Sequence, residues 1–261
     1  MSKVIEYAIR AHLHLAIFSF VYVSALYKEN AYSTQYALMF AFGILSIYNF
    51  HRLWKLRRGD LPYGILVWLK SNKLSIAMLS FSSVISTMYI YLSYFSEQYL
   101  IHLLCAICVS ICILYVCRIR RYSLREIPYL KIFLVFGIWS FLLHIMPYML
   151  FGNLVFPLGG LLLLFAILIP SDMKDIDFDP EEMKTIPQLL GTNNSLNLIR
   201  MLSILGISYS VIIYDESMWA WVTSFSYMLV LTFFYSRINK DYFFVWIDAC
   251  FLIVGVVLFC Y

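Results

Sequence analysis

Nine apolar runs, most of them near twenty residues long and separated by polar connections, constrain this chain more than any other feature. An α-helix needs about 20 residues to cross a hydrocarbon core of roughly 30 Å. The runs fall at 9–27, 31–50, 73–95, 98–117, 130–150, 153–170, 199–214, 218–236 and 242–260. They are too long for barrel strands and lack period-two alternation, so their backbone polar groups must be satisfied within helices. The chain is 62% apolar and 13% charged, with mean hydropathy +0.81, far from the range of a soluble globular domain. The expectation is an all-α polytopic membrane protein. Residues 1–261 form one helical domain of about nine transmembrane helices, bundled around a central cavity.

Charge placement predicts orientation. With nine spans, eighteen of the nineteen Lys and Arg residues fall on one face, in the amino terminus and the loops at 51–72, 118–129, 171–198 and 237–241 and their adjoining span ends. Lys28 alone falls on the other. The positive-inside rule makes the rich face cytoplasmic. The first run lacks a small-residue cleavage site and is followed closely by the second, so it is expected to remain as a helix. The expected location is integral to a membrane, the inner or plasma membrane of a prokaryote. The net charge of +4 is read as attraction to anionic lipid or phosphate, and nucleic acid is not an expected partner. Oligomeric state is left open. Cys105, Cys108 and Cys112 share a helical face and are read as packing residues, as are Cys117, Cys250 and Cys260. The same reading, interfacial or packing, applies to His12, His14, His102 and His144.

The polar segment after the sixth run carries the strongest chemical signal. Asp172, Asp175 and Asp179 are spaced i, i+3, i+7, which on a helix stacks three carboxylates on one face. Like charges so placed repel unless something cationic sits among them. Carboxylates at the mouth of a membrane helix commonly mark function. Such a group suits a hard divalent cation, and Mg²⁺ typically joins one or two carboxylates to substrate phosphates. Pro170 just upstream is expected to kink or restart the helix.

Asp172-x-x-Asp175-x-x-x-Asp179, followed by Lys184-Thr185-Ile186-Pro187-Gln188-Leu189-Leu190-Gly191, resembles the second Asp-rich motif of the UbiA-type intramembrane prenyltransferase superfamily and the segment after it. Two further stretches look similar: Leu124 to Lys131, leading into the fifth span, and Asp241 to Asp248, opening the last. The resemblance implies nine helices and transfer of a prenyl group from a prenyl diphosphate to a hydrophobic acceptor, aromatic or lipid, with Mg²⁺ held between two Asp-rich motifs. It implies metal ligation by Asp172, Asp175 and Asp179, catalysis by these three with Lys131, and substrate binding by Lys184, Arg118 and Arg125. Arg118, Arg120, Arg121 and Arg125 form a basic group in a loop that the resemblance also brings near the diphosphate.

The first motif departs from the family. At its place the chain reads Asn49-Phe50-His51-Arg52-Leu53-Trp54-Lys55-Leu56-Arg57, so Phe50, Leu53 and Arg57 stand where carboxylates are expected, and Asp60 comes three residues late. Asn49 alone matches. Asn49, His51, Arg52 and Lys55 are expected to bind the substrate, the basic groups among them and Arg57 replacing one metal, since guanidinium and ammonium groups complement phosphate oxygens. The alternative is a non-catalytic relative that binds isoprenoid or polyprenyl phosphates.

Overall fold

A computed structural model describes residues 3–59, 61–97, 99–118, 123–151, 158–214, 217–238 and 240–260, with backbone alone at 100, 101 and 240–242. Among the sequence expectations, Asp60, Arg120, Arg121 and the Asp241 side chain lie outside the described residues. The described residues are all helix, turn or irregular, with no strand among them. Contacts divide the chain into two compact units, Met1–Leu124 and Arg125–Tyr261.

The first unit contains α1 (Lys3–Arg10), α2 (Leu13–Leu26), α3 (Ser33–Arg58), α4 (Tyr63–Tyr94) and α5 (Tyr99–Val116). α1 and α2 meet at a 67° bend, where His12 takes the left-handed conformation at φ 59. α3 packs on both α2 and α4. It runs eight residues beyond its apolar run, as far as Arg58, because a helical backbone satisfies itself whatever its side chains carry. Gly59 ends it at φ 81, a left-handed cap that glycine adopts without Cβ strain. α4 likewise begins ten residues before its apolar run.

The second unit contains α6 (Leu130–Ser140), α7 (Met146–Phe151), α8 (Leu158–Asp175), α9 (Ile186–Ile213), α10 (Met218–Phe233) and α11 (Lys240–Cys260). A π-turn, Phe141–Ile145, joins α6 to α7 without interrupting the helical path. Its cause is Pro147, which lacks an N–H and crowds the carbonyl four residues back. The Met146 N–H bonds instead to the Phe141 carbonyl, five residues back. Pro170 lies inside α8 and does not divide it, so the helix does not restart there. The break comes in α9, where Gly191 sits at φ 74, ψ 166, a region essentially confined to glycine. α9 packs on α8 and α10, and α11 on α10 and α8.

Four helical stretches are long and apolar enough to cross a membrane: Tyr63–Tyr94, Leu130–Phe151, Ile186–Ile213 and Phe243–Cys260. The bent α1–α2 pair makes a fifth when taken as one span. That is the build of an integral membrane protein. On α4, Leu74, Met78, Phe81, Ile85, Met88 and Leu92 form one stripe at three- and four-residue spacing, each half or more exposed. In water such a stripe would be buried; lipid tails are the solvent that suits it.

Candidate functional site

The acidic segment folds onto two cations in the second unit. Asp172 and Asp175 occupy the last turn of α8, where the helix dipole disfavours negative charge. The helix ends there, and Phe178 and Asp179 both bond back to the Asp175 carbonyl, at 2.9 and 2.8 Å. Asp179 therefore joins its partners through a tight turn and not through a second helical turn, as the i, i+7 spacing predicts.

Lys131, the second residue of α6, sits among the three. Its Nζ lies 2.7 Å from Asp172 Oδ1, 2.6 Å from Asp179 Oδ2 and 3.7 Å from Asp175 Oδ2. Arg125 Nη2 pairs with Asp179 Oδ1 and lies 3.4 Å from Asp175 Oδ2. Lys131, Asp172 and Asp179 are buried, while the Asp175 side chain is 35% exposed. Three carboxylates against two cations leave one formal negative charge. Burial, which disfavours the charged form, pushes Asp172 above the usual aspartate range; Lys131 opposes that shift without cancelling it. Asp172 Oδ2 is buried without a hydrogen-bond partner.

Gln188, within the Thr185–Gly191 segment, fastens the loop behind the cluster. Its Nε2 donates to the carbonyls of Asp179 and Pro180, both at 3.0 Å, and its Oε1 accepts from the Thr185 N–H at 2.9 Å. The Thr185-x-x-Gln188 spacing is that of a capping box and could have revealed it. Lys184 is exposed at φ 49, with its Nζ 5.4 Å from the centre of the Tyr129 ring.

The residues expected to replace the first motif lie in the first unit. Asn49 is fully buried, and its Nδ2 donates to the carbonyls of Ala11 at 3.1 Å and Leu45 at 2.9 Å. His51 Nε2 donates to the Cys112 carbonyl at 2.8 Å, with its ring stacked on Tyr115. Arg58 Nη1 donates to the Val116 carbonyl at 2.9 Å and so caps the end of α5. Arg52 and Lys55 are half-buried on α3, and Arg118 is exposed just past α5. Asn49 and His51 thus bind backbone and hold helices in register.

The acid cluster has the donor type of a hard divalent ion's site and one unpartnered buried oxygen, Asp172 Oδ2. Its centre is held by Lys131 Nζ, and among the described residues no three His, Cys, Asp or Glu side chains stand in metal-holding geometry. Comparison with family models, curated proteins and solved structures finds no match to this chain.

Proposed function

We propose that this chain is an intramembrane prenyltransferase-like protein with nine membrane spans. It would transfer a prenyl group from a prenyl diphosphate to an aromatic or lipid acceptor, with Mg²⁺. The observation that carries the reading is the convergence of Asp172, Asp175 and Asp179 on Lys131 and Arg125. Three carboxylates outweigh the two cations by one charge, so a diphosphate would enter together with its divalent ion, the ion taking the carboxylates and the phosphates taking the donors of Lys131 and Arg125. Arg125 offers a planar fork to phosphate oxygens and Lys131 a point charge. Asp172, Asp175 and Asp179, released from these partners, would hold the metal. Such an ion supplies neutralisation of the departing diphosphate. The C–O bond to the diphosphate breaks with its electron pair going to pyrophosphate. The acceptor then forms the new bond and gives up a proton.

A second reading, a non-catalytic binder of isoprenoid or polyprenyl phosphates, is favoured by one observation. Where the resemblance expects its first set of carboxylates the chain carries Phe50, Leu53 and Arg57, and the adjoining Asn49 and His51 are bonded to backbone carbonyls. Purified protein in nanodiscs, given Mg²⁺ and radiolabelled farnesyl or geranylgeranyl diphosphate, separates the two. Pyrophosphate release that is lost in Asp175→Ala supports transfer. Saturable binding without release supports the binder. Neither release nor binding overturns both. Asp175 is suited to this substitution because it is the most exposed of the three.

A further inference from the structure

Beside the acid cluster, the second unit holds a cavity of about 170 Å³. Ile132, Phe133, Phe165 and Leu189 give it an apolar body, and Lys184 and Thr185 contribute polar groups to its wall. Lys131 belongs both to this wall and to the carboxylate cluster. Phe133 and Leu189 are more than half exposed, so the wall they form reaches the surface of the unit.

Two backbone anomalies border the cavity. Tyr129 at φ 63 and Lys184 at φ 49 are non-glycine residues in the left-handed region, and both line it. The Tyr129 N–H bonds to the Met183 carbonyl at 2.9 Å and ties the two strained segments together. Such conformations persist where the surroundings over-determine them, commonly at ligand clamps. Lys184 makes no ion pair among the described residues; its ammonium lies over the Tyr129 ring. Thr185 is buried; its Oγ1 takes the capping-box position toward the Gln188 N–H, and its own proton meets no acceptor among the described residues. A cation without an ion pair and a hydroxyl with a proton left to give thus stand at an apolar recess.

We infer that this cavity binds a compact apolar group, one ring or one branched five-carbon unit, that carries a phosphate answered by Lys184 and Thr185. Size sets what lies inside the recess: an apolar cavity of about 150 Å³ takes a benzene ring, so an extended polyprenyl chain would leave most of its length outside this one. The inference rests on the reading above only for the choice of phosphate as the anion. The ring and the five-carbon unit are distinguished by experiment.

The test uses the full chain in nanodiscs and four probes: inorganic phosphate, phenyl phosphate, isopentenyl phosphate and farnesyl phosphate. Affinities are measured by calorimetry. Phenyl or isopentenyl phosphate is expected to bind at least tenfold tighter than inorganic phosphate. Whichever of the two is tighter identifies an aromatic or an isoprenoid occupant. Leu189→Trp, at an exposed wall position, fills the recess and is expected to abolish that advantage while leaving inorganic phosphate unchanged. Lys184→Asn keeps a residue tolerant of positive φ and is expected to weaken the compact phosphates tenfold, with Lys184→Arg restoring them. Equal affinity for inorganic and compact phosphates, or binding indifferent to both substitutions, overturns the inference. So does a farnesyl phosphate whose gain over inorganic phosphate is lost in Leu189→Trp while the compact probes show no gain. Compact-phosphate binding that depends on Lys184 and Leu189, in a protein that neither releases pyrophosphate nor binds long-chain diphosphates, leaves the cavity standing and sinks the prenyl-transfer reading. Turnover with no compact-phosphate selectivity does the reverse.

Discussion

Lys131 is the residue on which the second unit's charge balance turns. Its ammonium is buried and lies within 3.7 Å of all three carboxylates. Removing one partner of a buried ion pair leaves uncompensated charge, at a cost of about 3–5 kcal/mol. Lys131→Met, which keeps the volume and loses the charge, is expected to lower the unfolding free energy in mild detergent by about that amount, as measured by SDS titration. A change near zero would mean that the cluster is solvated. Asp172 adds a pH dependence. Because burial raises its pKa in the folded protein, the folded state binds the proton more tightly than the unfolded one. The carboxyl's contribution to stability then grows as pH falls through its folded value toward the ordinary aspartate range near 4. Wild type is therefore expected to gain thermal midpoint relative to Asp172→Asn between about pH 7 and pH 4. A constant or shrinking margin would contradict burial as the dominant cause. The carboxylate trio was legible from spacing alone, and so was its need for a cation. That the cation in this structure is an ammonium forty residues upstream was not, because side-chain pairing across helices leaves no local trace in sequence.

At the scale of the element, the helices lie where the apolar runs are, but their ends do not. α3, α4 and α9 each run eight or more residues into polar sequence. Hydropathy reports what a helix is dissolved in, whereas backbone hydrogen bonding decides where it stops. The break in α9 could have been read from Gly191, since a glycine after Thr-x-Pro is a candidate turn point. The close approach of α9 and α10 could not. Gly206 faces the ring of the fully buried Phe225 so closely that an added Cβ would overlap it. Small residues at such crossings let helices pack backbone to side chain. Gly206→Ala is expected to cost about 1–3 kcal/mol by overpacking. Gly206→Ala combined with Phe225→Leu should recover part of that loss, again read by SDS titration. Additive losses would show that the two positions do not share the contact.

For the whole molecule, sequence predicted an all-helical membrane protein, and the structure contains four to five membrane-length apolar helices among its described residues. α10 and the apolar part of α5, His102–Val116, are shorter apolar helices. The proposed nine-span topology is open to direct measurement. Glu97→Cys, between the third and fourth runs, should react with an impermeant maleimide in right-side-out vesicles, and Glu181→Cys in inside-out vesicles. Labelling of both from the same side would remove an odd number of crossings between them and overturn the topology. The split into two compact units was not visible in the sequence, because no change of composition marks residue 124.

The π-turn at Phe141–Ile145 carries a surplus residue through a stretch otherwise wound at 3.6 per turn. Excising one residue there would let the hydrogen-bond ladder close in the ordinary register and leave the faces downstream where they are, because the turn already absorbs its extra residue. Met146, now wholly enclosed, would keep its face, and Lys131, upstream of the deletion, its place among the aspartates. The same excision from regular helix would swing everything downstream by about 100°. One codon is therefore what this rod can lose here and nowhere else along its length without scrambling its sides.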